Sequence, residues 1–136
     1  NRLAQWLSKS RLLAYITAAH GMFNRPIRNM LVETGSSPSA QMMQCYRELI
    51  SRPDHVTGTL KMMAGWDLAD QRQVLPSLRT PLHLVVCTND RTVSPWQSER
   101  LSEFVTCSTL YRVPDLGHLG HEEDPTPFAD IIRATL

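Results

Sequence analysis

Two ionisable side chains in the last third of the chain have the types and the spacing that proton transfer requires. Asp90 follows an apolar run at residues 82–87, and His118 follows a second apolar run at residues 110–113. If the two runs are neighbouring parallel strands, both side chains lie at the edge of the sheet where such sheets place their chemistry. An imidazole held by a carboxylate can take the proton of a hydroxyl nucleophile. The pattern therefore predicts an acid–base pair formed by Asp90 and His118.

The sequence does not contain an obvious nucleophile for this pair. A serine on a strand-to-helix turn usually lies in a Gly-x-Ser-x-Gly motif, and that motif is absent from these residues. Ser36 follows Gly35, but no strand is predicted before it and Pro38 opens a helix, so we do not assign it this role. Because the nucleophile precedes the acid and the histidine in this chain order, we expect the chain to begin inside a longer protein.

The composition excludes several functional classes. Hydrophobic residues make up 42% of the 136, and 14 basic against 13 acidic side chains give a net charge near +1. This balance gives no electrostatic basis for binding nucleic acid or an anionic membrane, and no apolar run approaches the ~20 residues of a transmembrane helix. The three cysteines are widely spaced, which predicts reduced thiols in a cytoplasmic protein. No cluster has metal-ligand spacing, so we expect no metal and no cofactor.

Residues 1–75 are predicted to be helical and to form a cap or lid region. Apolar residues recur at helical spacing over residues 2–20. A further helix is predicted to begin with Ser37 as its N-cap and Pro38 at its first position. Pro53 is predicted to begin another helix.

Residues 76–136 are predicted to alternate strands with helices. The continuous apolar run at residues 82–88 favours a parallel strand covered on both faces, with His83 as a hydrogen-bonded core histidine. The second strand spans about residues 109–113. The connection between the strands is long enough for a helix, beginning at Ser94, which predicts a right-handed parallel unit.

The last helix is predicted to begin near Thr126, and Glu122 and Glu123 are expected to support its start through the helix dipole. The helix predicted after the first strand carries Trp96, Leu101, Phe104 and Val105. The last helix is expected to direct Phe128, Ile131, Ile132 and Leu136 inward. Two strands alone do not form a stable parallel sheet. We therefore predict an α/β fold whose sheet is completed by a missing N-terminal half or by a second chain.

Three stretches of the sequence resemble a known family. The block PLHLVVCTNDRTVSP at residues 81–95, followed by LGHLGHEEDP at residues 116–125, resembles the C-terminal end of the α/β-hydrolase fold. The string MMAGWDL at residues 62–68 resembles the cap of the magnesium-chelatase accessory family, α/β-hydrolase relatives associated with bacteriochlorophyll biosynthesis.

The resemblance implies that Asp90 and His118 are the catalytic acid and base of a hydrolase acting in or beside tetrapyrrole metal insertion. It implies that Met62, Met63 and Trp66 bind a small apolar substrate such as a tetrapyrrole, and that a magnesium-chelatase subunit is a partner. This chain alone, without the nucleophile, is expected to be inactive. Two alternatives stay open: an ester or carbon–carbon bond hydrolase of another pathway, and a non-catalytic scaffold that binds a tetrapyrrole or a chelatase subunit.

Overall fold

The structure, a computed structural model, describes residues 24–66 and 74–136. The helix predicted over residues 2–20 lies outside them. The described residues belong to two compact units, the first formed by 24–30 with 39–66 and the second by 31–38 with 74–136. The predicted domain boundary near residue 75 stays a prediction. It did not include the assignment of residues 31–38 to the second unit.

Helix α1 (Asn24–Glu33) begins in the first unit, and its last three residues belong to the second. The helix includes Pro26 in its first turn. A proline is tolerated there because the first turn of a helix leaves its N–H groups without partners. Ile27 is buried, with 2% of its surface exposed.

The rest of the first unit is a pair of helices, α2 (Ala40–Ile50) and α3 (Pro53–Ala64), which pack against each other. The start of α3 at Pro53 was predicted and is confirmed. The predicted N-cap of α2 was wrong by two positions. Ser39 caps the helix because its Oγ accepts the N–H of Met42 at 3.2 Å, whereas the N–H of Ser37 is bonded elsewhere, as described below.

The second unit contains a parallel pair of strands joined by a helix. A 3₁₀ turn (Leu75–Ser77) precedes β1 (Leu82–Cys87), then follow α4 (Pro95–Phe104) and β2 (Ser108–Val113). The strands pair in register from Leu82 opposite Ser108 to Cys87 opposite Val113. The predicted strand–helix–strand unit is confirmed. Two helices, α5 (Gly120–Glu123) and α6 (Thr126–Thr135), complete the described chain.

The core of the second unit lies where the strands end. Val86, Cys87 and Val113 are buried at the C-terminal ends of β1 and β2, and Val105, 1% exposed, closes the end of α4. Helix α4 packs on both strands. Burial concentrated at the carboxyl ends of the strands gives the loops that follow them a rigid base.

Several side chains predicted to be buried are exposed. His83 lies on the open part of the sheet, where its Nδ1 is 3.3 Å from the hydroxyl of Tyr111, and is not a core residue. Ile132 and Leu136, which were predicted to point inward, are more than half exposed, and so are Trp96 and Phe104 of α4. The physical reason is that the described residues provide only two strands, which leave parts of the sheet and of its flanking helices uncovered.

No helix within residues 24–66 and 74–136 has the length and apolar content that crossing a membrane demands.

Candidate functional site

Asp90 is held rigidly at the end of β1. Its N–H donates to the carbonyl oxygen of Cys87 at 3.1 Å, which closes a tight turn directly after the strand. Its Oδ1 accepts the N–H groups of Thr92 at 2.8 Å and Val93 at 2.9 Å. With Oδ1 fixed by the backbone, the second oxygen, Oδ2, is left to face His118.

The environment of Asp90 favours its ionised form. Desolvation by burial raises the pKa of this carboxyl, but hydrogen bonds from His118, Val93 and Thr92 outweigh that effect. The net result is a pKa below its ordinary value of 3.8. Asp90 is therefore a carboxylate, which can only accept hydrogen bonds.

His118 is carried by the loop that follows β2, and this loop is joined to the loop of Asp90. The N–H of Asp115 donates to Thr88 Oγ1 at 2.9 Å. In the opposite direction, the N–H of Asn89 donates to the carbonyl oxygen of Leu116 at 2.9 Å. These two bonds connect the ends of neighbouring strands, so neither loop can move without the other.

The predicted contact between the two side chains is present. Nδ1 of His118 lies 2.9 Å from Oδ2 of Asp90, and the side chains are 35% and 14% exposed, respectively. Because a carboxylate has no proton to donate, Nδ1 carries the hydrogen. In the neutral imidazole the other nitrogen, Nε2, is then unprotonated and available as a base. The catalytic role of the pair stays a proposal.

A cavity of about 240 Å³ lies beside this pair. Val85, Val93 and Phe128 give it an apolar wall, and Ser98 adds a hydroxyl. Cys87 also lines it, but burial and the nearby carboxylates of Asp90 and Glu123 raise the pKa of its thiol. A thiol held in its protonated form is a poor nucleophile.

The segment Thr34–Ser37 supports both loops, a role that its sequence did not predict. The carbonyl oxygen of Thr34 accepts two N–H groups, that of Arg91 at 3.0 Å and that of His118 at 3.3 Å. Ser36 Oγ accepts the N–H of Leu119 at 3.0 Å. No local sequence pattern predicts these contacts, because 84 positions separate His118 from Thr34 and 83 separate Leu119 from Ser36.

Two glycines permit this close packing. A side chain at Gly117 would place its Cβ 2.3 Å from the backbone of Gly35 and Ser36. One at Gly35, which has a φ of 88°, would meet the carbonyl oxygen of Asn89. The φ of Gly117, unlike that of Gly35, is not positive. The structure requires glycine there because two backbones touch.

Glu123 has a different role from the one predicted. Its Oε2 accepts the N–H of Ser37 at 2.7 Å, and its Oε1 accepts the N–H of Gly117 at 3.1 Å. Its two oxygens thus bond to these amides and not to the first turn of α6. At the start of α6, the N–H of Thr126 donates to Oδ1 of Asp124 at 3.0 Å.

Ser36 has the geometry of a structural hydroxyl. It is 3% exposed, and its Oγ is engaged by Leu119 and by the hydroxyl of Thr34 at 3.1 Å. This agrees with the sequence-based decision not to assign it as the nucleophile.

The three predicted substrate-binding residues belong to the first unit, at the C-terminal end of α3 and just after it. Met62, Met63 and Trp66 are 55%, 51% and 61% exposed. Their binding role stays a prediction. Among the side chains that the structure describes, no three of His, Cys, Asp and Glu are grouped as metal ligands.

Comparison with known proteins agrees with both resemblances. The model of the Alpha/beta hydrolase family matches residues 2–131. The Magnesium-chelatase 30 kDa subunit of Rhodobacter capsulatus is 34% identical over 120 residues, which cover 88% of this chain and 42% of that protein. The chain therefore spans less than half the length of the relative that it matches.

Proposed function

The chain belongs to the alpha/beta hydrolase family, and from that premise we propose that it provides the acid and the base of a hydrolytic site. The observation that carries the proposal is the 2.9 Å contact between His118 Nδ1 and Asp90 Oδ2. Asp90 would hold the imidazole in the tautomer with a free Nε2 and stabilise the imidazolium that forms when Nε2 takes a proton.

The proposed reaction needs a hydroxyl nucleophile from a part of the full-length protein outside these residues. His118 Nε2 would remove the proton of that hydroxyl as it attacks an acyl carbon, and would then deliver the proton to the leaving group. Part of the cavity beside His118 is apolar, formed by Val85, Val93 and Phe128, and this part suits the uncharged portion of an ester.

The substrate class is proposed from similarity alone. The matched relative is named a magnesium-chelatase subunit, so we place this chain beside tetrapyrrole metal insertion in bacteriochlorophyll biosynthesis, with a chelatase subunit as its partner in the cytoplasm. Met62, Met63 and Trp66 would contribute an apolar surface for a tetrapyrrole, because each exposes half of its surface or more.

The test of the hydrolytic proposal compares the full-length protein with His118→Ala on a p-nitrophenyl ester. Removing a catalytic base typically lowers kcat by roughly 10⁴-fold or more. His55→Ala is the matched control, because it removes an exposed imidazole from the first turn of α3. Equal turnover by the wild type and His118→Ala would show that His118 takes no part in catalysis.

A non-catalytic scaffold is the second candidate. It is favoured by the name of the relative, which describes a subunit. A full-length sequence without a Gly-x-Ser-x-Gly motif upstream of these residues would favour it further. Porphyrin binding by the full-length protein, measured by absorbance titration, would support the scaffold if it occurs without any ester hydrolysis. Ester hydrolysis that requires His118, without porphyrin binding, would instead favour an ester or carbon–carbon bond hydrolase of another pathway.

A further inference from the structure

We propose that Glu123 is a positioning residue for His118, acting through the backbone of the loop that carries the imidazole. The inference rests on the proposed catalytic role of His118. It starts from an unusual use of a carboxylate: each oxygen of Glu123 accepts a main-chain N–H from a different part of the chain, Oε2 from Ser37 at 2.7 Å and Oε1 from Gly117 at 3.1 Å. Gly117 directly precedes His118.

The bond to Gly117 is one of three that fix consecutive amides around the imidazole. The N–H of His118 donates to the carbonyl oxygen of Thr34 at 3.3 Å. The N–H of Leu119 donates to Ser36 Oγ at 3.0 Å. The amide of Gly117 reaches the same segment through Glu123. Each amide of residues 117–119 is thus connected to residues 34–37 by hydrogen bonds, through Glu123 for Gly117 and directly for the other two. We call this set of bonds the brace.

The two hydroxyl groups of this segment, those of Thr34 and Ser36, can donate their hydrogens in only one consistent arrangement. Thr34 Oγ1 lies 2.6 Å from the carbonyl oxygen of Leu31, which has no hydrogen, so Thr34 must donate there. Its Oγ1 is then an acceptor for the Ser36 hydroxyl, 3.1 Å away. Ser36 in turn accepts from Leu119. Each of these donors has one acceptor, which makes the arrangement ordered and rigid.

Glu123 is the charged member of this brace. Hydrogen bonds to an ionised carboxylate are stronger and shorter than those between neutral groups. Because the two amides bind different oxygens, both oxygens must be acceptors. A neutral side chain of the same shape cannot satisfy both, so the position is specific for a carboxylate.

The brace bears on the chemistry because, among the described residues, the hydrogen bonds of His118 are those of its backbone and the bond from its ring to Asp90. A displacement of the loop at residues 117–119 would lengthen the 2.9 Å contact between Nδ1 and Oδ2. Misplacing a catalytic group by about 1 Å can lower the rate by roughly 100-fold.

The test uses Glu123→Gln in the full-length protein. Glutamine keeps the size of the side chain but replaces one acceptor oxygen with an NH₂ donor, so one of the two amides faces a donor. We expect kcat on a p-nitrophenyl ester to fall by roughly 10- to 100-fold with little change in KM, since Glu123 is not among the residues that line the cavity. Glu103→Gln, the same change at an exposed position of α4, should leave both parameters unchanged.

A second readout does not depend on activity. The hydrogen on Nδ1 of His118, bonded to a carboxylate, gives a downfield proton resonance in NMR, which Asp90→Asn would assign. Glu123→Gln should weaken or abolish this resonance, and Glu103→Gln should retain it.

Retention of both the resonance and kcat in Glu123→Gln would overturn the positioning role. If the wild type hydrolyses no ester, the hydrolase proposal fails, and the resonance alone decides whether Glu123 positions His118. If Glu123→Gln does not fold, Ser36→Ala tests the brace from the other side of the imidazole. Under the proposal it weakens the same resonance, and an unaltered resonance would overturn it.

Discussion

Nδ1 of His118 lies 2.9 Å from Oδ2 of Asp90, although 28 positions separate the two residues. The register of the parallel strands explains the contact: Cys87 pairs with Val113 at the ends of β1 and β2, so the two loops start side by side. A slip of one residue would shift a loop by about 3.3 Å and separate the pair. The site therefore depends on the strand pairing beneath it.

The first prediction concerns Asp90→Asn. Asparagine can present either an oxygen or an NH₂ group to Nδ1, so the tautomer with a free Nε2 is no longer enforced. In the full-length protein we expect kcat on a p-nitrophenyl ester to fall by roughly 10⁴-fold, as in hydrolases whose triad acid is changed in this way. Asp115→Asn is the matched control, because Asp115 is close to His118 in sequence but exposed. Similar turnover by both variants would contradict the assignment of Asp90 as the acid.

The second prediction concerns the pH dependence of stability. Hydrogen bonds from His118, Val93 and Thr92 outweigh desolvation and hold the pKa of Asp90 below its ordinary value of 3.8. The unfolded chain therefore binds the proton at a higher pH than the folded one, and stability rises with pH in that window. The contribution of Asp90 is fully present above pH ~5 and is lost as the pH falls through 3.8 and below.

This effect can be measured as the free energy of unfolding of the wild type and Asp90→Asn from about pH 6 to about pH 3. The difference between the two proteins should shrink as the pH falls, because protonation makes the wild type resemble the variant. A difference that is constant over the whole range would show that the carboxylate has an unperturbed pKa.

The elements that position the pair could be predicted from the sequence because they depend on local patterns. The apolar run of six residues predicted β1. The connection after it, long enough for a helix, predicted that β2 would pair with β1 in parallel. Pro53, which suits the first position of a helix, marked the start of α3. These signals are carried by neighbouring residues, so no tertiary information was needed.

The brace could not be predicted, because its bonds join residues far apart in the chain. Ser37 has the type of an N-cap, but its N–H donates to Glu123, 86 positions away, and Ser39 caps α2 instead. The exposure of His83 was missed for a related reason. The alternation of a strand does not say whether a second layer covers its face, and among the described residues that part of the sheet is open.

The third prediction concerns the backbone at Asp115, which has a φ of 63°. Aspartate tolerates this left-handed conformation better than most residues, and alanine tolerates it poorly. We expect Asp115→Ala to lower the free energy of unfolding by about 1 kcal/mol, and Asp115→Gly to leave it unchanged or raise it slightly. Chemical denaturation of the full-length variants measures both. Equal losses in the two variants would show that the carboxylate, and not the backbone conformation, is responsible.

The fourth prediction contrasts two glycines. A Cβ at Gly117 would lie 2.3 Å from Gly35 C and Ser36 N, and backbone atoms cannot move aside as a flexible side chain can. Gly117→Ala should therefore lower the free energy of unfolding by about 3 kcal/mol or more. Gly58 lies within α3, and a Cβ added there would meet nothing within 4 Å. Gly58→Ala should therefore raise the free energy of unfolding by about 0.5–1 kcal/mol through helix propensity.

The Gly117 variant also tests whether the contact between His118 and Asp90 requires the brace. If the variant folds at low temperature, its loop must have separated from residues 34–37, and the Nδ1 proton resonance of His118 should be lost together with stability. Gly58→Ala should keep that resonance. A folded Gly117→Ala protein with the resonance intact would show that the imidazole stays on Asp90 without the close contact to Gly35, and the 2.9 Å pair would then be maintained by the strand register alone.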